Sequence, residues 1–123
     1  MSTKINLIRS IEYLYSSPEG KIDLEKSKQI LTDLAKAKQS PADYDIILDF
    51  RRSQLKLSTT DLWYLAAELV NHNNAFREKV AVLILPDLNF EKAEFFELCS
   101  RNRGFNINVF TNYEDAVQWF YED

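Results

Sequence analysis

The order of apolar and polar residues along the chain alternates between two periods. Ile5–Arg9 and Ile11–Tyr15 are short strand-like runs, and Ile11, Tyr13 and Tyr15 recur with period two, as on a half-buried strand. The following SSPEG stretch is turn chemistry, with Pro18 fixing φ and Gly20 permitting a left-handed corner. From Asp23, a good N-cap, the spacing predicts a helix to about Gln39, with Ile30, Leu31, Leu34 and Ala37 on one face. Ser40-Pro41 ends it, because the residue before a proline is pushed out of the α region.

Tyr44–Phe50 (YDIILDF) is a continuous apolar run bounded by polar residues, the pattern of a strand covered on both faces. Ser58-Thr59-Thr60-Asp61 is a capping-box signature, and the helix it opens carries Leu62, Leu65, Ala66 and Leu69 on one stripe. Asn71-His72-Asn73-Asn74 is its polar stop. Lys79–Leu85 is the clearest strand, closed by Pro86, and Asp87 or Asn89 caps the helix behind it. Gly104 is the expected C′ glycine of that helix, with Arg101 and Arg103 at its negative end. Asn106–Phe110 is the last strand, and Thr111-Asn112-Tyr113-Glu114 reads as a second capping box. Ala116, Val117, Trp119 and Phe120 face inward from the final helix.

The predicted order is β-β-α-β-α-β-α-β-α. Strands alternating with helices imply right-handed βαβ units, hence an α/β fold: a mixed, mostly parallel sheet of about five strands under about four helices. The N-terminal strand is expected to be antiparallel at one edge. A chain of 123 residues with 46% hydrophobic content reads as a single domain over 1–123.

Composition narrows function mainly by exclusion. The two glycines, Gly20 and Gly104, cannot supply a dinucleotide or P-loop fingerprint. Cys99 and His72 are the only residues of their types, too few soft ligands for a closed zinc site, so neither a metal nor a cofactor is expected. A net charge of −4 argues against nucleic acid as a partner. The apolar runs are too short to span a membrane and no signal peptide is indicated, so a cytoplasmic location is expected.

Tyr44–Phe50, the capped helix behind it, EKVAVLILP and the closing RNRGFNINVFTNYEDAVQWF together resemble the SpoIIAA-like superfamily. That group includes the STAS domains of anti-sigma factor antagonists and, more distantly, CRAL-TRIO lipid-binding domains. The resemblance runs from about Ile11 to Phe120 and rests on apolar, structural motifs. It implies a β/α superhelix without enzymatic activity, working through protein contacts. In the STAS branch a serine at the start of the second helix, in a D-S-S-G-like stretch, accepts a phosphate that switches partner binding. Here the stretch is Leu57-Ser58-Thr59-Thr60, which makes Ser58 and Thr59 the candidate phospho-acceptors; Leu57 stands in place of the acid and Thr60 in place of the glycine.

The other candidate residues come from the sequence itself. Ser58 has a structural use as an N-cap. Arg51 and Arg52 directly follow a strand, where α/β folds open their ligand crevice, and Asp49 is placed to orient one guanidinium toward an anion. Cys99 reads as a small core hydrophobe and His72 as a helix-end cation. Glu91, Glu94 and Glu97 read as a solvated ridge. Aromatic residues exceed the needs of a lean core, so one cluster is expected at the surface as a partner or homodimer face. Three functions compete: a regulatory interaction module with an unidentified protein partner, a carrier of a small or lipid-like ligand, and an enzyme for which no catalytic constellation can be named.

Overall fold

The structure, a computed structural model, describes residues 13–37 and 44–122. Its elements are β1 (Tyr13–Ser16), β2 (Gly20–Ile22), α1 (Leu24–Ala37), β3 (Asp45–Asp49), β4 (Ser53–Leu55), α2 (Thr59–Asn71), β5 (Val80–Leu83), α3 (Leu88–Arg101), β6 (Ile107–Phe110) and α4 (Tyr113–Phe120). A four-stranded sheet runs β1-β3-β5-β6, and β2 pairs β4 in a separate two-stranded sheet. Every described pairing is parallel, and the registers place Tyr13 opposite Asp45, Ile46 opposite Val80 and Val80 opposite Ile107.

This is the α/β architecture the periodicity predicts, with two differences. The first described strand, β1, lies at an edge and runs parallel to β3, so no antiparallel edge strand occurs among the described residues. The run Ile5–Arg9 and the stop at Ser40-Pro41 lie outside the described residues. The second difference is the β2–β4 pair, which the periodicity does not predict. Strands of three residues are too short to show a period.

The same two stretches of chain therefore pair twice. They meet first as β1 and β3, break at residues 17–19 and 50–52, and meet again as β2 and β4. Gly20, at φ 81°, makes the corner, and its amide donates to the Arg52 carbonyl at 3.2 Å. Ser53 Oγ ties across to the Pro18 carbonyl at 2.7 Å, and Lys92 Nζ reaches from α3 to the Leu55 carbonyl at 2.9 Å.

Alternation along the strands divides the core in two. Ile46, Leu48, Val80, Val82 and Ile107 point into a large core shared with α1, α2 and α3. Ile47, Ala81 and Leu83 point the other way, where α4 covers them with Ala116 and Phe120. That division fits right-handed crossovers, which carry successive connecting helices onto one face.

The caps follow the sequence closely. Asp23 accepts the Lys26 amide at 2.8 Å, and Asp87, rather than Asn89, caps α3 by accepting the Asn89 amide at 2.8 Å. The last cap is Asn112, one residue after the start of the predicted box, accepting the Asp115 amide at 2.9 Å. Lys79 pins the end of α4: its Nζ donates to the Trp119 carbonyl at 2.6 Å and to the Glu122 carbonyl, and lies over the Trp119 ring.

Candidate functional site

The break between the two ladders sits at the carboxyl ends of β1 and β3. Asp49, the last residue of β3, is 3% exposed. A buried carboxylate is tolerated only when it is paired and hydrogen-bonded, and both of its oxygens are used. Oδ1 accepts the Arg51 amide at 3.0 Å and Arg51 Nε at 2.9 Å, while Oδ2 accepts Arg51 Nη2 at 2.8 Å and Tyr15 Oη at 2.5 Å. The Arg51 contact is a bidentate fork, the strongest geometry for this pair. Burial by itself would raise the Asp49 carboxyl. The hydrogen bonds from Arg51 and Tyr15 outweigh it and bring the group down to about 2. In return, the carboxylate holds the Arg51 guanidinium above its usual range.

Arg52, beside it, is exposed and pairs with Glu19 through Nη1 at 3.1 Å. Together Tyr15, Ser17, Asp49, Arg51 and Arg52 line an open cleft of about 470 Å³. The three residues singled out from the sequence, Asp49, Arg51 and Arg52, are thus brought together. Tyr15, Ser17 and Glu19 join them from the partner segment. Only the pairing of β1 with β3 places them there, and nothing in the local sequence signals it.

Ser58 and Thr59 lie elsewhere, at the start of α2. Ser58 Oγ accepts the Asp61 amide at 3.0 Å and the Asp61 carboxylate accepts the Ser58 amide at 3.0 Å, a closed capping box. Both Ser58 and Thr59 are exposed. One turn on, Trp63 and Tyr64 are 48% and 54% exposed and meet edge to face. With Thr59, Thr60 and Phe95 they line an open depression of about 310 Å³, and Arg103, two residues past the end of α3, lies 4.9 Å from the centre of the Trp63 ring.

His72 stands at the opposite end of α2 from Ser58, as its C-cap, 3.6 Å from the Glu68 carboxylate. Cys99 is buried. Among the described residues no cluster of acidic, histidine or cysteine side chains has the geometry to hold a metal ion, and no helix is long and apolar enough to cross a membrane. Glu91 and Glu94 are exposed, but Glu97 leaves the expected ridge: its Oε2 accepts the amide of Val109 on the edge strand β6 at 2.8 Å.

No family model matches the sequence, and no curated protein sequence matches it. Among solved structures, the chain is similar to the crystal structure of an uncharacterized protein of the DUF3478 family with a SpoIIAA-like fold, from Shewanella loihica PV-4. The two share 19% identity with a TM-score of 0.59, over 88% of this chain and 83% of that one. At that identity the likeness bears on architecture. The parallel β1-β3-β5-β6 sheet, its four helices and this structural match together give the chain a SpoIIAA-like fold.

Proposed function

We propose that the chain is a non-enzymatic, cytoplasmic regulatory module of the STAS kind, a single domain that acts by binding another protein through the N-terminal end of α2. The observation that carries this reading is the meeting of exposed hydroxyls with exposed aromatics. Thr59 and Thr60 line one depression with the exposed Trp63 and Tyr64 and the half-buried Phe95, and Ser58 precedes them as the N-cap of α2. Tryptophan and tyrosine held at a surface are the side chains that contribute most per residue to protein interfaces. Arg103 stacked on Trp63 keeps the indole in place.

Ser58 and Thr59 are the proposed phospho-acceptors, and the two modifications differ in their local cost. A phosphate on Ser58 would occupy the oxygen that caps Asp61 and bring nearly two negative charges beside the Asp61 carboxylate. On Thr59, the first residue of α2, it would meet the positive end of the helix dipole with the capping box intact. Thr59 is therefore the less disruptive site.

The test is comparative affinity capture from the native cell with the wild type, Trp63→Ala, Thr59→Glu and Ser58→Asp. One partner retained by the wild type, lost with Trp63→Ala and changed in affinity by either acidic substitution is the expected result. A partner bound equally by all four proteins would remove both the docking face and the switch.

A further inference from the structure

We infer that the cleft at the break between the two parallel ladders is a binding site for the phosphate group of a small soluble phosphomonoester, held by Arg51, Arg52 and Ser17 and gated by Glu19. This inference is independent of the α2 face.

Donor accounting leads to this ligand. Asp49 engages the Nε–Nη2 side of the Arg51 guanidinium. A guanidinium carries five N–H donors. Two go to Asp49 and the Tyr15 hydroxyl engages the guanidinium as well, which still leaves donors over, and the Arg51 side chain is 32% exposed. Asp49 thus acts as a positioning residue: it fixes the guanidinium plane and leaves the outer edge to face a ligand. Its own oxygens are occupied, so the cleft offers chiefly donors: the Arg51 edge, Arg52 and the Ser17 hydroxyl. An acceptor-rich anion is the chemistry that answers such a set.

Glu19 selects among anions. Its carboxylate sits on Arg52 Nη1 at 3.1 Å, with both side chains more than 65% exposed, so the pair is weak and exchangeable. A ligand that displaces it must outcompete a tethered monoanion. A second carboxylate gains little by that exchange, whereas a phosphomonoester, close to dianionic at neutral pH, gains a charge and an extra acceptor oxygen. The cleft, at about 470 Å³, is larger than a phosphate alone, and the Tyr15 ring, 49% exposed, forms part of its wall. The organic body of the ester would rest there.

Phenyl phosphate and benzoate separate phosphate from carboxylate on a common ring. Each is titrated at pH 7.5 and low ionic strength into the ¹⁵N-labelled full chain, and backbone and arginine side-chain resonances are followed. The expected result is a saturable shift at Arg51, Arg52 and Ser17 with phenyl phosphate, at least tenfold tighter than with benzoate. Glu19→Gln should tighten it about threefold, and Arg52→Ala should weaken it about tenfold. Both substitutions are at exposed positions and preserve the fold, which the spectrum itself verifies. Vesicles of phosphatidic acid form a further arm, because a lipid headgroup carries the same phosphate. Absence of saturation by phenyl phosphate, equal affinity for benzoate, indifference to both substitutions, or binding confined to vesicles would each overturn the assignment.

Discussion

Asp49 shows how much one buried carboxylate can organise. Its ordinary value of 3.8 falls to about 2 in the folded protein, so the charged form is favoured by folding. The resulting stability is fully present above about pH 4 and is lost as the pH falls through 2; it is worth about 2 kcal/mol. Urea unfolding followed from pH 5 to pH 2 should therefore show a steeper loss in the wild type than in Asp49→Asn, by about that amount. Identical pH dependence in the two proteins would refute the pairing as drawn. The sequence places Asp49, Arg51 and Arg52 together because they are neighbours. It is silent on Tyr15, whose hydroxyl reaches Asp49 across 34 positions. Phe76 escapes notice for a related reason: it is 1% exposed, yet it sits alone after a polar stop and no period marks it as core.

Among the elements, boundaries set by local chemistry were the most legible. Asp23, Ser58 and Asp87 cap helices through their own side chains, and a cap is a short-range device written in four consecutive residues. Ser58→Ala should cost about 1 kcal/mol in chemical denaturation, with the backbone fold unchanged. The β2 and β4 strands were illegible, since their pairing depends on β1 and β3 being in register first. Glu97 illustrates what is hidden between elements: it reads as one of three evenly spaced acids, yet it terminates the amide of an edge strand. An edge N–H left open is a template for unwanted pairing. Glu97→Ala should raise hydrogen exchange at Val109 selectively and lower stability by about 1 kcal/mol. Unchanged exchange at that amide would show the contact to be dispensable.

At the scale of the molecule, the two faces of the sheet are covered unequally. Three helices pack over one, while α4, eight residues long, covers Ile47, Ala81 and Leu83 on the other. Phe120 carries much of that cover and is 5% exposed. Phe120→Ala should lower stability by about 3 kcal/mol or more in thermal or chemical unfolding, well beyond the effect of Tyr121→Ala on the exposed side of the same turn. The alternation of strand and helix made this layered plan readable from the sequence. The handedness rule alone cannot say which helix would stand apart, because that depends on where the last connection ends.

Within the described sheet, no two neighbouring strands are joined by a hairpin. Each rung of the ladder links residues separated by an intervening helix, as Tyr13 with Asp45, Ile46 with Val80, and Val80 with Ile107. Closing such long loops is costly before any contact rewards it, so the helices must be laid down before the ladder can be zipped. Refolding from denaturant should accordingly be slow for a domain of this length, on the order of milliseconds to seconds. Helical circular dichroism should recover ahead of the amide protection of β3 and β5.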